Sequence, residues 1–407
     1  MISKKNKPLR KNTRPMKVTI VGGGFGGVKA TLELAKDRHI QVTLISNSRH
    51  FQYYPALYAV ATGYSHRSSW IQLQTIFQHK PNVTLVFDTI TKIDPDKKRL
   101  TSAVGKKYSY HTLILAMGSV TTYFGIKGLD TYAYGIKSEQ EIRRLQDHLF
   151  HEMRDDHIIE KHYVVIGAGP TGVELAASLG QYLERLRQHF GLQKQKLHID
   201  LIEAAPRILP RSHPKISEMA ARILEDNNVN IECNKRVESE NSRSLIVNGR
   251  PIRSHTVIWT SGVANSPFFT HNSKHFSLDK QSRVLVNNHL RASNNIFVIG
   301  DNAATPYAGM AQTALHNASY VARFLKLKRR NKYTAPYKPF QPASAIPLGK
   351  NSGVFEWKKL RFSGWPAVAL RSAADLIGYY ELLPLREAIE AWRASDDYEL
   401  KVPDNLT

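Results

Sequence analysis

Two matched sets of glycines carry the first chemistry legible in this chain. Gly22-x-Gly24-x-x-Gly27 and Gly167-x-Gly169-x-x-Gly172 share one spacing. That spacing meets three separate needs of a turn facing a pyrophosphate. The first glycine permits the tight turn out of a strand, the second lets phosphate approach the backbone, and the third lets helix and strand pack closely. Behind each set a helix start offers unpaired N–H groups and the positive end of a dipole. One such match is weak evidence. Two, each between a strand and a helix, are hard to obtain by chance and point to dinucleotide binding. Residues at strand ends add to the sets. Glu203 closes the strand His198–Ile202, where a ribose-binding acid belongs, and its charge favours the 2′-hydroxyl of NAD over the 2′-phosphate of NADP. The corresponding place in the first half holds Ser46, which bonds a hydroxyl without a charge. Gly300-Asp301 ends the run NIFVIGDNAA and places a carboxylate to meet a cofactor's hydroxyls.

The elements that must position these residues alternate strand and helix. Lys17–Val21 reads as a buried strand followed by the helical run VKATLELAK, and Gln41–Ile45 as the next strand. Arg49–Gly63, aromatic-rich, reads as a helix–loop element. Val83–Asp88 and the Lys97–Thr101 region read as strands of a hairpin-like insertion. Leu113–Ser119 is a strand ending in a small-residue turn that contains Gly118. The pattern restarts with the strand His162–Ile166, the helix Val173–Tyr182 and a charged helical insertion over Glu184–Lys196. Val257–Gly262 and Asn295–Ala304 supply further strands, and Met310–Leu325 a helix. Lys326–Pro342 is basic and proline-punctuated, as a linker is. These runs predict an α/β fold with two Rossmann-like dinucleotide-binding domains, the second inserted in the first.

The last segment, from near Ile346, carries Val368, Ala369, Ala373, Leu376, Ile377, Tyr380 and Leu383 at helical spacing, with Pro366 suited to a first turn. A shorter helix carries Leu385, Ile389 and Trp392. Arg371 and Asp375 forbid a membrane span, so this amphipathic segment is expected to lie on a surface. Lys358, Lys359, Arg361, Arg371 and Arg386 supply a cationic flank for anionic headgroups.

The whole chain has 407 residues, 42% of them hydrophobic, and a formal net charge of +23. That length predicts a large core and two or three domains. The positive balance attracts polyanions, but no nucleic-acid motif accompanies it. The basic N-terminal run lacks the apolar stretch that secretion needs, and a cytoplasmic location is the expectation. The single cysteine, Cys233, excludes a disulfide framework, a multi-cysteine zinc site and a dithiol redox centre. The sequence offers no recognisable metal motif.

Both fingerprints, together with LILAMGS, WTSG and VIGDNAA in that order, resemble the two-dinucleotide-binding-domain flavoproteins. PALYAVATG (Pro55–Gly63), MGSVTTYFGIKG (Met117–Gly128), GPTGVELAA (Gly169–Ala177), EAAPRILP (Glu203–Pro210) and AQTA (Ala311–Ala314) are similar to type II NADH:quinone oxidoreductase, a single-subunit, non-pumping NADH dehydrogenase. The resemblance covers roughly 17–398. It implies FAD held by Gly22, Gly24, Gly27 and Asp301, with Ser46, Gly118 and Gly300 beside them, and NADH held by Gly167, Gly169, Gly172 and Glu203. It divides the chain into a basic tail (1–15), an FAD-binding domain (16–125 and 266–330), an NADH-binding domain (126–265) and a C-terminal membrane-associating segment (331–407).

By the same resemblance Glu174 sits near the flavin–nicotinamide stack, and Gln312 matches the first glutamine of the family's quinone motif. His316 stands in place of the second glutamine, and Ala308-Gly309 in place of a usual proline pair. A histidine there relays protons near neutrality or simply packs. The expected partners are a quinone and an anionic membrane surface at the cytoplasmic face, and a homodimer is compatible with the apolar stripe. Two other readings share these residues. A soluble reductase of a ferredoxin-like or rubredoxin-like acceptor has no need of the amphipathic tail, and a flavin-binding assembly factor has no turnover.

Overall fold

The computed structural model describes residues 15–157, 159–160, 162–193 and 197–402. The basic N-terminal run and the end of the Glu184–Lys196 insertion lie outside these residues. Two sheets organise the chain. The first has six strands in the order Arg291–Ser293, Ile296–Val298, Thr112–Leu115, Met16–Val21, Ile40–Ser46 and Val83–Phe87. All its neighbours pair in parallel except Arg291–Ser293 with Ile296–Val298. The second has four parallel strands in the order Val229–Glu232, His198–Ile202, His162–Ile166 and Thr256–Trp259. The central strands are buried over most of their length and rich in Val, Ile and Leu, as strands covered on both faces are.

Because Thr112–Leu115 and Ile296–Val298 are neighbours, the second sheet is an insertion within the first. The chain crosses between them twice, through Ser119–Thr121 and Val263–Asn265, and these two crossings pair antiparallel. Helix Phe25–Ala35 follows the first glycine set and packs along helix Ala311–Arg329. Helix Pro170–His189 follows the second set, with Pro170 in its first turn, where a missing N–H costs nothing.

Several local expectations need correction. Val83–Phe87 is the parallel edge strand of the first sheet, and the insertion is the separate three-stranded Ile90–Asp94, Arg99–Ser102 and Lys107–Ser109. The segment Arg49–Gly63 opens with a strand, His50–Gln52, before its short helix Leu57–Ala61. The last segment begins as an antiparallel sheet of Ser344–Pro347, Gly353–Trp357 and Leu360–Ser363, and only then turns helical.

The C-terminal segment is joined to both cores, its helices Trp365–Tyr380 and Leu385–Ala394 to one and the sheet before them to the other. Tyr379, Leu382, Leu383 and Ala388 belong to the core of the first sheet. Ile346, Leu348 and Val354 belong to the core of the second. Leu383 is therefore a core residue and cannot face lipid. Trp392 is half-buried, its indole N–H donating to Ser372. Among the described residues no helix is long and apolar enough to cross a membrane.

Candidate active site

Both glycine sets adopt the geometry their spacing predicts. Gly22 (φ +114°) and Gly167 (φ +101°) sit in backbone conformations that side chains rarely adopt. A Cβ on Gly22 would lie 2.1 Å from the Ala116 carbonyl oxygen, and one on Gly167 2.1 Å from Ser261 Oγ. A Cβ on Gly27 or on Gly172 would lie 1.8 Å from the carbonyl oxygen of Gly22 or Gly167, respectively. Helix and strand therefore touch through backbone alone. Gly24 and Gly169 differ from all of these, because a Cβ on either meets nothing within 4 Å. Each is the extended N-cap of its helix, with no side chain capping the free N–H groups and no acid in the first turn. The result is two open cradles lined by backbone donors, which fit a dinucleotide pyrophosphate.

The flanking polar residues are held differently in the two halves. Ser46 is buried; its Oγ accepts the Ser48 N–H at 3.2 Å and would sit 2.4 Å from a Cβ on Gly23. The Glu203 carboxylate accepts the N–H of Ala168 and the N–H of Ala205, each at 2.8 Å, and so is fixed against its own glycine turn. Arg207 is committed to the carbonyls of Leu209, Pro210 and Ser212, which keeps its guanidinium within its own loop.

Gly118 and Gly300, both with positive φ, are tied through Asn302 and Asn317. The Gly118 N–H donates to Asn302 Oδ1 at 3.0 Å, and the Gly300 N–H to Asn317 Oδ1 at 3.0 Å. Asp301 accepts from Ser119 Oγ at 2.7 Å, and Ser119 in turn is bonded by Lys137 Nζ at 2.7 Å. Burial lowers the Lys137 ammonium to about 8, while Asp301 and Glu141 oppose that shift. Lys137 carried no signal in the sequence, because its partners come from distant strands.

Glu174 lies on the second fingerprint helix and is buried. Arg371, from the C-terminal helix, donates to it at 2.9 Å, to the Asp375 carboxylate at 2.8 Å, to the Pro55 carbonyl at 2.7 Å and to the Ala345 carbonyl at 3.1 Å. Tyr53 donates to the other oxygen of Asp375 at 2.8 Å and stacks on Tyr379. Arg371 is therefore a largely enclosed clamp with its guanidinium fully engaged, and cannot serve as a headgroup cation. Arg361 also is engaged, with Glu356, and Arg386 with Glu390. Burial pushes the Glu174 carboxyl up to about 7, with Arg371 opposing.

Gln312 and His316 lie one turn apart on helix Ala311–Arg329, both half-buried. The Gln312 side chain makes no hydrogen bond among the described residues. His316 Nδ1 is 3.1 Å from the Tyr337 hydroxyl, and its ring packs on Tyr337 and edge-on to Phe340. Burial lowers its pKa, so the imidazole is neutral at pH 7. No hydrogen bond among the described residues joins His316 to the Glu174 network.

Residues 16–319 match the family model described as pyridine nucleotide-disulphide oxidoreductase. The type II NADH:quinone oxidoreductase NdhA of Mycobacterium tuberculosis is 30% identical over 411 residues, covering 93% of this chain and 87% of its own. The type II NADH:quinone oxidoreductase of Staphylococcus epidermidis is 26% identical over 90% of this chain and 96% of its own. The solved structure of NDH2 from Plasmodium falciparum in complex with NADH shares the fold, with a TM-score of 0.82 and 19% identity over 94% of this chain and 98% of that one.

Proposed function

This chain belongs to the pyridine nucleotide-disulphide oxidoreductase family and, within it, to the type II NADH:quinone oxidoreductases, and from that premise we infer that it oxidises NADH and reduces a membrane quinone. The family resemblance supports a division of labour between the two open cradles. Gly22, Gly24 and Gly27, with Ser46, Gly118, Gly300 and Asp301, would hold FAD. Gly167, Gly169, Gly172 and Glu203 would hold NADH. Bound flavin would supply the two-electron redox chemistry that links NADH to the acceptor. The protein aligns the two cofactors and keeps water out. Glu203, acidic and fixed against its loop, selects the 2′-hydroxyl of NADH. Glu174, raised to about 7, is matched to hold or release a proton near neutrality. Gln312 and His316 are our candidates for contact with the acceptor.

One observation carries the quinone reading. The helix that clamps Glu174 from inside is apolar on its outside, where Trp365, Ala369, Ala373, Ile377 and Tyr380 are exposed at helical spacing. Trp357 and Leu360, on the adjacent hairpin tip, are also exposed, and Lys358 and Lys359 stand between them. A single helix thus presents an apolar face beside cations on one side and reaches the buried carboxylate on the other. We place this face on an anionic membrane at its cytoplasmic side, where a lipid-soluble acceptor is reached.

The test uses point variants, because removing the segment would open both cores. Trp365→Glu and Ile377→Glu should lower binding to anionic vesicles at least ~10-fold, as expected for loss of buried apolar area. Flavin reduction by NADH should be unchanged in stopped-flow. Gln312→Ala should slow reoxidation by a short-chain quinone while sparing reduction. Unchanged vesicle binding in both stripe variants would overturn the membrane reading. A wild-type dimer that the same variants dissociate would assign the stripe to a second copy of this chain.

A further inference from the structure

The dinucleotide cradles lie at the carboxyl ends of the parallel strands, as ligands in open α/β sheets do. The opposite end of the second sheet holds a separate cluster that the reaction does not use. Glu160 precedes the strand His162–Ile166, His255 precedes the strand Thr256–Trp259, and Glu152 projects from the last turn of helix Glu139–Arg154. One carboxylate oxygen from each glutamate and one ring nitrogen of His255 all lie within 4.8 Å of one another. Among the described residues this is the one group of three such side chains close enough to share an ion.

We propose that Glu152, Glu160 and His255 form a site for a divalent transition-metal ion of the zinc class, distinct from both cofactor cradles. Four observations carry this. Glu152 is only 8% exposed, and its Oε2 is buried with no hydrogen-bond partner. A buried acceptor left unpaired is costly, and a second carboxylate within reach makes it more so without a cation.

Glu160, by contrast, is held in place from behind. It accepts from the backbone N–H of His255 at 2.7 Å and of Thr256 at 3.2 Å, and retains lone pairs for a ligand. Such outer bonds are what fix a ligating carboxylate. His148 Nε2 is bonded to Thr256 Oγ1 at 2.9 Å and stands 3.5 Å from Glu152 Oε1, so the second carboxylate lies against an imidazole held by the strand start.

Third, the site is open on one side. The His255 side chain is 59% exposed, free to swing the short distance that bonds of about 2.0–2.2 Å require. A cavity of about 190 Å³, lined among others by Tyr134, His148, Ser254 and His255, opens beside the His255 ring and gives water access to that side of the cluster. Arg144 also lines the cavity, but its guanidinium is committed to the carbonyls of Thr131 and Ala133. Fourth, the donor set chooses the metal class. Two carboxylate oxygens and an imidazole suit zinc and its neighbours, whereas magnesium prefers oxygen and retained water. An ion here would tie helix Glu139–Arg154 to the starts of two strands, and its effect would be on the second module's stability.

The experiment uses the tag-free, flavin-loaded full chain stripped with chelator, titrated calorimetrically with Zn²⁺, with Mg²⁺ as a parallel arm. We expect one zinc per chain, weaker or no binding of magnesium, and a rise of several degrees in the melting temperature at saturating zinc. Glu152→Gln keeps shape while removing charge, and His255→Ala changes an exposed residue, so both should fold. Each should weaken zinc binding at least ~10-fold and abolish the melting shift, with NADH-driven flavin reduction unchanged. Zinc binding of unaltered affinity in both variants, or no binding to the wild type, would overturn the proposal. Loss of NADH affinity on zinc addition would also overturn it, since the ion would then lie at the cradles.

Discussion

The two glycine turns of this chain are nearly superimposable in their backbone demands and unlike in their side chains. In both, the first and third glycines face obstacles at about the same distances, and the middle one faces open space. The neighbours diverge. The first turn is backed by a small buried hydroxyl, Ser46, directly behind Gly23; the second by a carboxylate, Glu203, that accepts two N–H groups of its own loop. The comparison separates two constraints. Closeness of strand, turn and helix leaves room for no side chain, so residue type there is dictated. Contact with a sugar can be made by several polar groups, and that position is where one turn departs from the other.

The strongest way to break the comparison is to add one methyl group to each half. Gly27→Ala and Gly172→Ala place equivalent Cβ atoms against backbone oxygen, and each should cost several kcal/mol locally. If the modules are separate, the first variant yields no folded yellow protein. The second keeps its flavin but loses reduction by NADH at least ~100-fold. Absorption spectra and stopped-flow read both outcomes, and equal loss of flavin in the two would merge the modules.

The next test concerns the seam. Arg371→Leu leaves Glu174 and Asp375 without their shared guanidinium and should destabilise the fold by about 3–5 kcal/mol in chemical denaturation, with Arg371→Lys between it and the wild type. Glu174 adds a pH dependence of definite sign. Burial raises its folded pKa to about 7, above the ordinary carboxyl value of about 4.5, so the folded state binds the proton more tightly. Its contribution is therefore fully present below about 4.5 and lost as pH rises through 7, a swing of about 3 kcal/mol. Glu174→Gln should remove that slope, and an unchanged slope would show that another group sets it.

Smaller effects address the sugar contacts. Glu203→Ser makes the second turn like the first, and should raise the KM for NADH about tenfold, roughly 1.4 kcal/mol, while narrowing the preference over NADPH. Smallest of all, Ser46→Ala should cost no more than ~1 kcal/mol and leave flavin bound, because other groups share that contact. A flavin-free Ser46→Ala protein would show the hydroxyl to be indispensable.

What could be read from sequence was what neighbouring residues decide among themselves. The glycine spacings, the α/β alternation and the family resemblance are of this kind, since each depends on a few consecutive residues. Arg371 shows the opposite case. Its charge reads locally as a surface feature, yet its partner Glu174 is 197 residues away. Leu383 differs from its expected place for the same reason: helical periodicity identifies a stripe but not which of two neighbouring faces meets the core. Lys137 and the Glu152, Glu160 and His255 cluster carry no spacing at all, because the sheet brings their segments together. The run Val83–Asp88 reads as a hairpin strand, whereas Val83–Phe87 is a parallel edge strand, because short strands do not announce their partner or direction.

The insertion also fixes an order of events during synthesis. Strand Thr112–Leu115 lies between Met16–Val21 and Ile296–Val298, and the latter leaves the ribosome about 180 residues later. At roughly 5–20 residues per second, that is a wait of about 10–40 s with an unpaired apolar strand edge exposed. All four strands of the inner sheet emerge within that interval, so the later module by position completes its sheet first. A nascent chain arrested before Asn295 should accordingly protect the inner sheet from protease while the outer one remains cleavable.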